Sequence, residues 1–188
     1  MKNVKKYVLD TSLFVNPAAR APFGKDPQEA VEHFAAIAAE YNASFYMPPS
    51  IWKELSNFAP NLHPLEGIVK RKAPNIYSIN LPAAVFYEFV DDVRGRVNKG
   101  LRLAEEFAID NRPDNDEKLR KLRDKYRDSM RTGIVDSKED FEIVLLAYEL
   151  EAIIITGDEG IHHLANKVGC EWIDASKFHA ILHKKKKR

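Results

Sequence analysis

Four aspartates in this sequence have the types and the spacing to hold a divalent metal ion. They are Asp10, Asp136, Asp140 and Asp158. Asp10 and Asp158 each follow a run of β-prone residues, and ligands of parallel sheets bind beyond the carboxyl ends of the strands. Asp136 and Asp140 open a predicted helix four residues apart, so both project from one helix face. We therefore expect the four carboxylates to meet at one edge of a sheet.

Carboxylates that converge without basic partners repel one another and need a counter-charge. Hard oxygen ligands select Mg²⁺ or Mn²⁺. Such ions activate a bound water and stabilise a leaving oxygen, which suits in-line attack on a phosphodiester. The aspartates thus predict a hydrolytic metal centre, and their pattern is compatible with one ion or with two.

Each aspartate also has a simpler explanation, because aspartate commonly occurs at helix N-termini and in turns. Asp158 could be the N-cap of the helix that follows it, and Asp10 could be a turn residue after a strand. Asp136 or Ser137 could cap the next helix within a capping box. These alternatives stay open at the level of the sequence.

A few other residues could contribute to such a site. Glu54 lies in the first turn of a predicted helix, where it is either a further metal ligand or a solvated carboxylate stabilised by the helix dipole. Asp174 follows the last predicted strand, and we interpret it as a cap. Trp52 and Trp172 are expected in the core.

Alternating strands and helices must position these residues. Strands are predicted at residues 4–10, 44–47, 152–156 and 171–173, and helices at 28–41, 137–150 and 159–167, with a further helix at the carboxyl end. We also predict a loop through residues 17–27, a short helix at 64–73 and a strand or extended connection at 75–81. This alternation is typical of an α/β fold whose parallel sheet has helices on both faces.

The segment from Pro82 to Gly133 predicts a helical hairpin. Apolar residues recur there every three or four positions, and the sequence NRPDN interrupts the pattern at residues 111–115. The second helix carries four arginines on one stripe: Arg120, Arg123, Arg127 and Arg131. They could follow RNA phosphates, or they could form a solvated face of ion pairs.

Composition restricts the remaining possibilities. The chain has 188 residues, of which 45% are hydrophobic, so it can bury a sizeable core. The net charge of +1 depends on the tail KKKKR at 184–188, without which 24 basic residues face 28 acidic ones. Nucleic acid would therefore have to bind to local basic patches. The tail could add sequence-independent affinity for nucleic acid, or it could be only a disordered, solubilising end.

Cys170 is the single cysteine, which excludes an intramolecular disulfide and a zinc site built from several cysteines. The first apolar run is short and is broken by Lys5 and Lys6, so it predicts neither a signal peptide nor a membrane span. A reducing, cytoplasmic location is the expectation that follows.

Several segments together resemble one family of nucleases. They are VLDTSLFVNP, YMPPSIWKEL, FYEFVDDVRGRVNKGLRLAEE, LRKLRDKYRDSMRTGIVDSKEDFEIVLLAYELEAIIITGDEG and IDASKF. The resemblance covers about residues 6–182 and is to the minimal protein-only ribonuclease P family, the HARP group of PIN-domain nucleases. A hairpin between Glu54 and Asp136 is distinctive of that group.

The resemblance implies a PIN-like three-layer α/β/α fold in a single domain over residues 1–183, with the hairpin inserted at about 83–132. It implies removal of the 5′ leader from precursor tRNA with Mg²⁺ or Mn²⁺ at Asp10, Asp136, Asp140 and Asp158. Glu142 is the next acidic residue of that motif and a further candidate ligand, although it lies on a different helix face from Asp140. Dimers that assemble through the hairpin into larger rings, and contact of the arginine stripe with tRNA, are implied as well.

Two alternatives remain beside this hypothesis. A toxin-like PIN ribonuclease would use the same chemistry on tRNA or mRNA, but the long hairpin argues against it. A PIN protein that binds RNA without cutting it would usually lack one of the carboxylates, and all four aspartates are present here.

Overall fold

The computed structural model describes residues 4–109, 115–130 and 137–184. Within these residues, five parallel strands form one sheet in the order β3-β2-β1-β4-β5. The strands are β1 Lys5–Leu9, β2 Ala43–Met47, β3 Val69–Arg71, β4 Ile153–Thr156 and β5 Trp172–Asp174. The predicted parallel sheet is confirmed, and β1 lies at its centre.

Helices cover the two faces of this sheet, which gives the three-layer α/β/α arrangement. They are α1 Ser12–Val15, α2 Pro17–Arg20, α3 Pro27–Ala39, α4 Pro49–Leu55, α7 Lys138–Leu150, α8 Glu159–Val168 and α9 Ala175–Lys184; α5 Ala83–Ile109 and α6 Asn115–Met130 form the hairpin described below. Helix α7 packs on β1 and β4 and contacts α8, whereas α1 contacts α3 and α9.

An aromatic cluster fills the space between the sheet and α3 and α9. Tyr7 of β1 stacks on Phe45 of β2, and its ring also meets the edge of Phe178 from α9. Phe34 of α3 packs edge-on against Phe45 and Phe14. All five side chains are at most 1% exposed. Their burial supplies much of the hydrophobic stabilisation that fixes the strand order.

The predicted helix at residues 64–73 is wrong. A short 3₁₀ turn, His63–Leu65, is followed by Gly67 at φ +84° and then by the edge strand β3. A left-handed residue ends helical geometry, and β3 is stabilised by pairing with β2. The stretch 75–81 contains a turn and no strand, and the predicted loop at 17–27 begins with the helical turn α2.

The chain divides into two compact units, one of residues 1–80 and 137–188 and the other, which contains the helical hairpin, of residues 81–136. Its helices are α5 Ala83–Ile109 and α6 Asn115–Met130, as the apolar spacing predicts. The ammonium of Lys125 in α6 lies 3.2 Å from Oε1 of Glu106 in α5 and over the ring of Phe107, so it links the two helices. A single domain with an insertion, as predicted, is compatible with these two units.

Some residues named in the sequence analysis are not among those that the structure describes. Asp136, Arg131 and the residues that separate α5 from α6 lie outside the described ranges, as do residues 185–188 of the basic tail. No helix in the described ranges is long and apolar enough to cross a membrane.

Candidate active site

The candidate site lies at the carboxyl edge of the sheet, where β1 and β4 run side by side. Asp10 directly follows β1, and its backbone N–H donates to the carbonyl of Ile155 in β4 at 3.1 Å. Asp158 follows β4 by two residues. Because the two strands are neighbours and parallel, residues that are 148 positions apart in the chain come to one edge.

Two hydroxyl groups join Asp10 to the loop after β4. The Oδ2 atom of Asp10 accepts hydrogen bonds from Ser12 Oγ at 2.5 Å and from Thr156 Oγ1 at 2.7 Å. The same hydroxyl oxygens accept the backbone N–H groups of Gly157, at 2.8 Å, and of Asp158, at 3.0 Å. Asp10 is 6% exposed and Thr156 is fully buried, so this network fixes the carboxylate and the loop in one arrangement.

Asp140 is the second carboxylate at this edge. Its backbone N–H donates to Ser137 Oγ at 3.0 Å, which makes Ser137 the N-cap of α7. Burial is the main cause that raises the pKa of Asp140 to about 6; the negative charges of Asp158, Asp10 and Glu54 contribute to the rise, and the hydrogen bond with Ser137 opposes it. Four carboxylates are therefore close enough to interact electrostatically.

The pKa of Asp10 is also raised, because the side chain is buried, although the hydrogen bonds from Ser12 and Thr156 oppose the shift. A nearby cation would favour the ionised form of both aspartates. Within the described ranges no three acidic, histidine or cysteine side chains are already placed to hold a metal ion, and Asp136 lies outside those ranges. The oxygen donors themselves fit a hard divalent cation.

Glu54 also lies near the aspartates. Its Oε2 atom accepts a hydrogen bond from Thr11 Oγ1 at 2.9 Å, which ties α4 to the turn after β1. The Glu54 side chain is otherwise exposed. The sequence analysis did not predict a role for Thr11, Ser12 or Thr156. Their hydroxyl groups, next to Asp10 and just before Gly157, could have indicated hydrogen bonds to the carboxylates.

Glu142 has different partners. Its Oε2 atom accepts a hydrogen bond from Ser50 Oγ of α4 at 2.5 Å, and its Oε1 atom lies 3.6 Å from the ammonium of Lys138. Glu142 therefore connects α7 to α4. This position agrees with the expectation that it lies on a different helix face from Asp140.

Asp158 does cap α8, since its Oδ1 atom accepts the backbone N–H of Ile161 at 3.1 Å. The prediction that Asp158 could be the N-cap of the following helix is thus confirmed. A cap uses one carboxylate oxygen, and an ionised carboxylate has two. Capping and metal binding are therefore compatible at Asp158.

Comparison with known proteins shows which family this chain belongs to. The model of the PINc domain ribonucleases matches residues 6–186. An RNA-free ribonuclease P of Pyrococcus furiosus is 45% identical over 94% of this chain and 92% of its own length. Proteins of the same name from Thermodesulfovibrio yellowstonii and Halorhodospira halophila are 43% and 36% identical, each over 95% of this chain and at least 90% of their own lengths. The chain belongs to the RNA-free ribonuclease P family.

This membership confirms the family resemblance of the sequence and the PIN fold, and it makes the protein a ribonuclease. The residues that the family model matches, 6–186, include those of the hairpin. Three of the four arginines of the predicted stripe, Arg120, Arg123 and Arg127, are exposed on α6. Arg127 lies 3.9 Å from Asp124, at the limit of an ion pair, and Arg131 is outside the described ranges.

Proposed function

We propose that this protein removes the 5′ leader of precursor tRNA by phosphodiester hydrolysis, without an RNA subunit. The observation that carries the proposal is the near full-length match to RNA-free ribonuclease P proteins. The carboxylates at the carboxyl edge of the sheet supply a chemistry for it, since burial raises the pKa values of Asp10 and Asp140 and a bound cation would favour their ionised forms.

Asp10, Asp136, Asp140 and Asp158 are the proposed ligands of Mg²⁺ or Mn²⁺, and Glu54 is a candidate for a further contact. When bound, the ion would lower the pKa of a water molecule and stabilise the leaving oxygen. The chain prepares this site by holding Asp10 through Ser12 and Thr156. For Glu142 we propose a positioning role, because its carboxylate already binds Ser50.

The decisive experiment is cleavage of a 5′-labelled precursor tRNA with Mg²⁺. We expect the wild type to release the mature 5′ end and Asp140→Asn to lose at least about 100-fold in rate. Asp174→Asn is the matched control, since Asp174 ends a strand of the same sheet and its carboxylate accepts hydrogen bonds from Ser176, which an amide oxygen can also accept. This control should keep the activity.

The other outcomes separate the alternatives. Scattered cleavage of tRNA and mRNA would favour a toxin-like PIN ribonuclease. Tight binding of precursor tRNA without any cleavage by the wild type would favour a PIN protein that only binds RNA. Either result would contradict the proposed 5′-leader cleavage.

We further propose that the arginine stripe of α6 contacts the tRNA body. Arginine suits phosphate because its planar guanidinium binds two oxygens at once. Replacing Arg120, Arg123 and Arg127 together by alanine should weaken binding of precursor tRNA and reduce its salt dependence, while cleavage of a small unstructured RNA is kept. Lys121→Ala is the control, because Lys121 is already paired with Glu117 at 2.5 Å. Unchanged binding by the triple variant would contradict this role.

The partner of the hairpin is proposed to be a second copy of the chain, in dimers that assemble into larger rings. A row of apolar side chains on α5, which we call the apolar stripe, supports this proposal. Its members are Phe86, Phe89, Val93, Val97 and Leu101, which are 41–63% exposed. Exposed apolar surface of this kind marks interaction sites.

A further inference from the structure

An aromatic and basic pair lies beside the carboxylates and is not used by the site described so far. The guanidinium carbon of Arg71 lies 4.9 Å from the centre of the Trp52 ring. Arg71 is the last residue of β3, and Trp52 belongs to α4. The expectation that Trp52 is a core residue is therefore only partly correct, since its side chain is half-buried and carries a cation on its ring.

The pair is close to the candidate active site. Strand β3 is parallel to β1 and two strands away, so Arg71 ends at the same edge as Asp10, at a distance of about 10 Å. Helix α4 connects the two places, because it carries both Trp52 and Glu54, and Glu54 binds Thr11 next to Asp10. A chain of RNA that crosses the carboxylates along this edge would meet Arg71 next.

Arg71 is available to a ligand. It is exposed, and among the described residues no carboxylate forms an ion pair with it. Its neighbour Lys72, in contrast, binds Glu149 at 2.6 Å. A guanidinium held over an aromatic ring makes a cation–π contact and keeps its N–H groups free to donate to phosphate oxygens. Trp52 thus holds the Arg71 guanidinium without using its hydrogen-bond donors.

We propose that the Arg71–Trp52 pair binds an unpaired nucleotide of the 5′ leader, upstream of the scissile bond. The inference rests on the proposed function. Bases of the tRNA stem are stacked inside a duplex, whereas leader bases are free to stack on arginine or aromatic planes. At the rise of stacked bases, 10 Å corresponds to about three nucleotides from the metal site.

Leader length provides the test. Cleavage is measured on one precursor tRNA with a long unpaired leader and on the same tRNA with a single-nucleotide leader. Arg71→Ala should raise KM for the long-leader substrate about 10-fold, the size of one lost stacking contact, and leave the short-leader substrate unchanged. Arg71→Lys should rescue only part of the loss, because it keeps the charge without the plane.

Lys70→Ala is the matched control. Lys70 is the adjacent residue of β3 and equally basic, but alternate strand residues face opposite sides, and its ammonium lies over the Tyr46 ring. It should not change the leader dependence. Equal losses on both substrates with Arg71→Ala, or the same leader-dependent loss with Lys70→Ala, would overturn the proposal.

A binding experiment keeps this inference distinct from the cleavage proposal. In an Asp140→Asn background, long-leader precursor tRNA should bind about 10-fold more tightly than mature tRNA, and Arg71→Ala should abolish that difference. If the wild type cuts no precursor tRNA, the proposed function fails while this comparison still decides the role of Arg71. Identical binding of the two RNAs by the unchanged Arg71 protein would sink the inference.

Discussion

At the scale of single residues, the candidate site brings together carboxylates whose ionisation is made unfavourable by burial. Asp10 and Asp140 both have raised pKa values, mainly because they are partly or fully buried. The hydrogen bonds from Ser12, Thr156 and Ser137 reduce this cost but do not remove it. A protein that keeps such an arrangement gains by binding a cation there.

Asp140→Asn should therefore stabilise the metal-free protein at pH 7. The folded-state pKa of Asp140, about 6, lies above the ordinary value of 3.8, so ionisation favours the unfolded chain. The resulting penalty is absent below about pH 4, grows as the pH rises and is complete above the folded-state pKa. After allowance for solvent at this half-exposed position, we expect a gain of about 1 kcal/mol from the substitution.

Urea unfolding in the presence of a chelator measures this gain. The stabilities of the wild type and the variant should differ at pH 7 and converge near pH 4. Added Mg²⁺ should stabilise the wild type more than the variant. A variant that is less stable than the wild type at pH 7 without metal would contradict the proposed charge repulsion.

At the scale of secondary-structure elements, α4 is the piece that joins separate parts of the site. It begins directly after β2, with Pro49 at its first position. Glu54 ties it to the turn after β1, and Ser50 ties it to Glu142 of α7. A helix of seven residues has little stability of its own, so these contacts are what set its position.

The Glu142 substitutions separate a positioning role from metal binding. Glu142→Gln keeps an oxygen that can accept the Ser50 hydroxyl, so cleavage should stay close to the wild-type rate. Glu142→Ala removes the contact and should cost about 1 kcal/mol of stability and roughly 10-fold in rate through misplacement of α4. Cleavage rates and urea unfolding are the measurements. A loss with Glu142→Gln as large as with Asp140→Asn would identify Glu142 as a ligand.

At the scale of the whole molecule, the hairpin unit exposes a row of large apolar side chains along α5. The members of the apolar stripe follow one another at intervals of three or four residues, so they lie on one face of α5. Replacing Phe89 and Val93 together by serine should lower the mass of the oligomer in solution, because the variant loses apolar area that a second copy would bury.

Light scattering after size exclusion measures that mass. Tyr87→Ser is the matched control, since Tyr87 is 76% exposed but lies beside the stripe, and its mass should equal that of the wild type. A wild-type protein that is monomeric at micromolar concentration would contradict assembly through the hairpin.

Much of the fold could be predicted from local patterns. The apolar periods predict α5, α6 and α7 to within a few residues, because each pattern repeats over several turns. The edge strand β3 was missed because it has three residues, and pairing with β2 decides its conformation. The same holds for α1 and α2, each of four residues.

For the site, local patterns in the sequence predict which carboxylates lie close together. A residue that follows a strand of a parallel sheet lies at its carboxyl edge. The spacing of Asp136 and Asp140 predicts a common helix face, which stays a prediction because α7 begins at Lys138 and Asp136 lies outside the described ranges. These are local properties of the chain. They predict the neighbourhood of Asp10, Asp140 and Asp158 without the strand order.

The groups that hold those carboxylates come from distant parts of the chain and could not be predicted. Thr156 meets Asp10 across 146 positions, Ser50 meets Glu142 across 92, and Arg71 reaches Trp52 from another element. Such contacts depend on strand order and helix packing, which arise from burial of the whole aromatic core. The local sequence around any one of these residues does not contain that information.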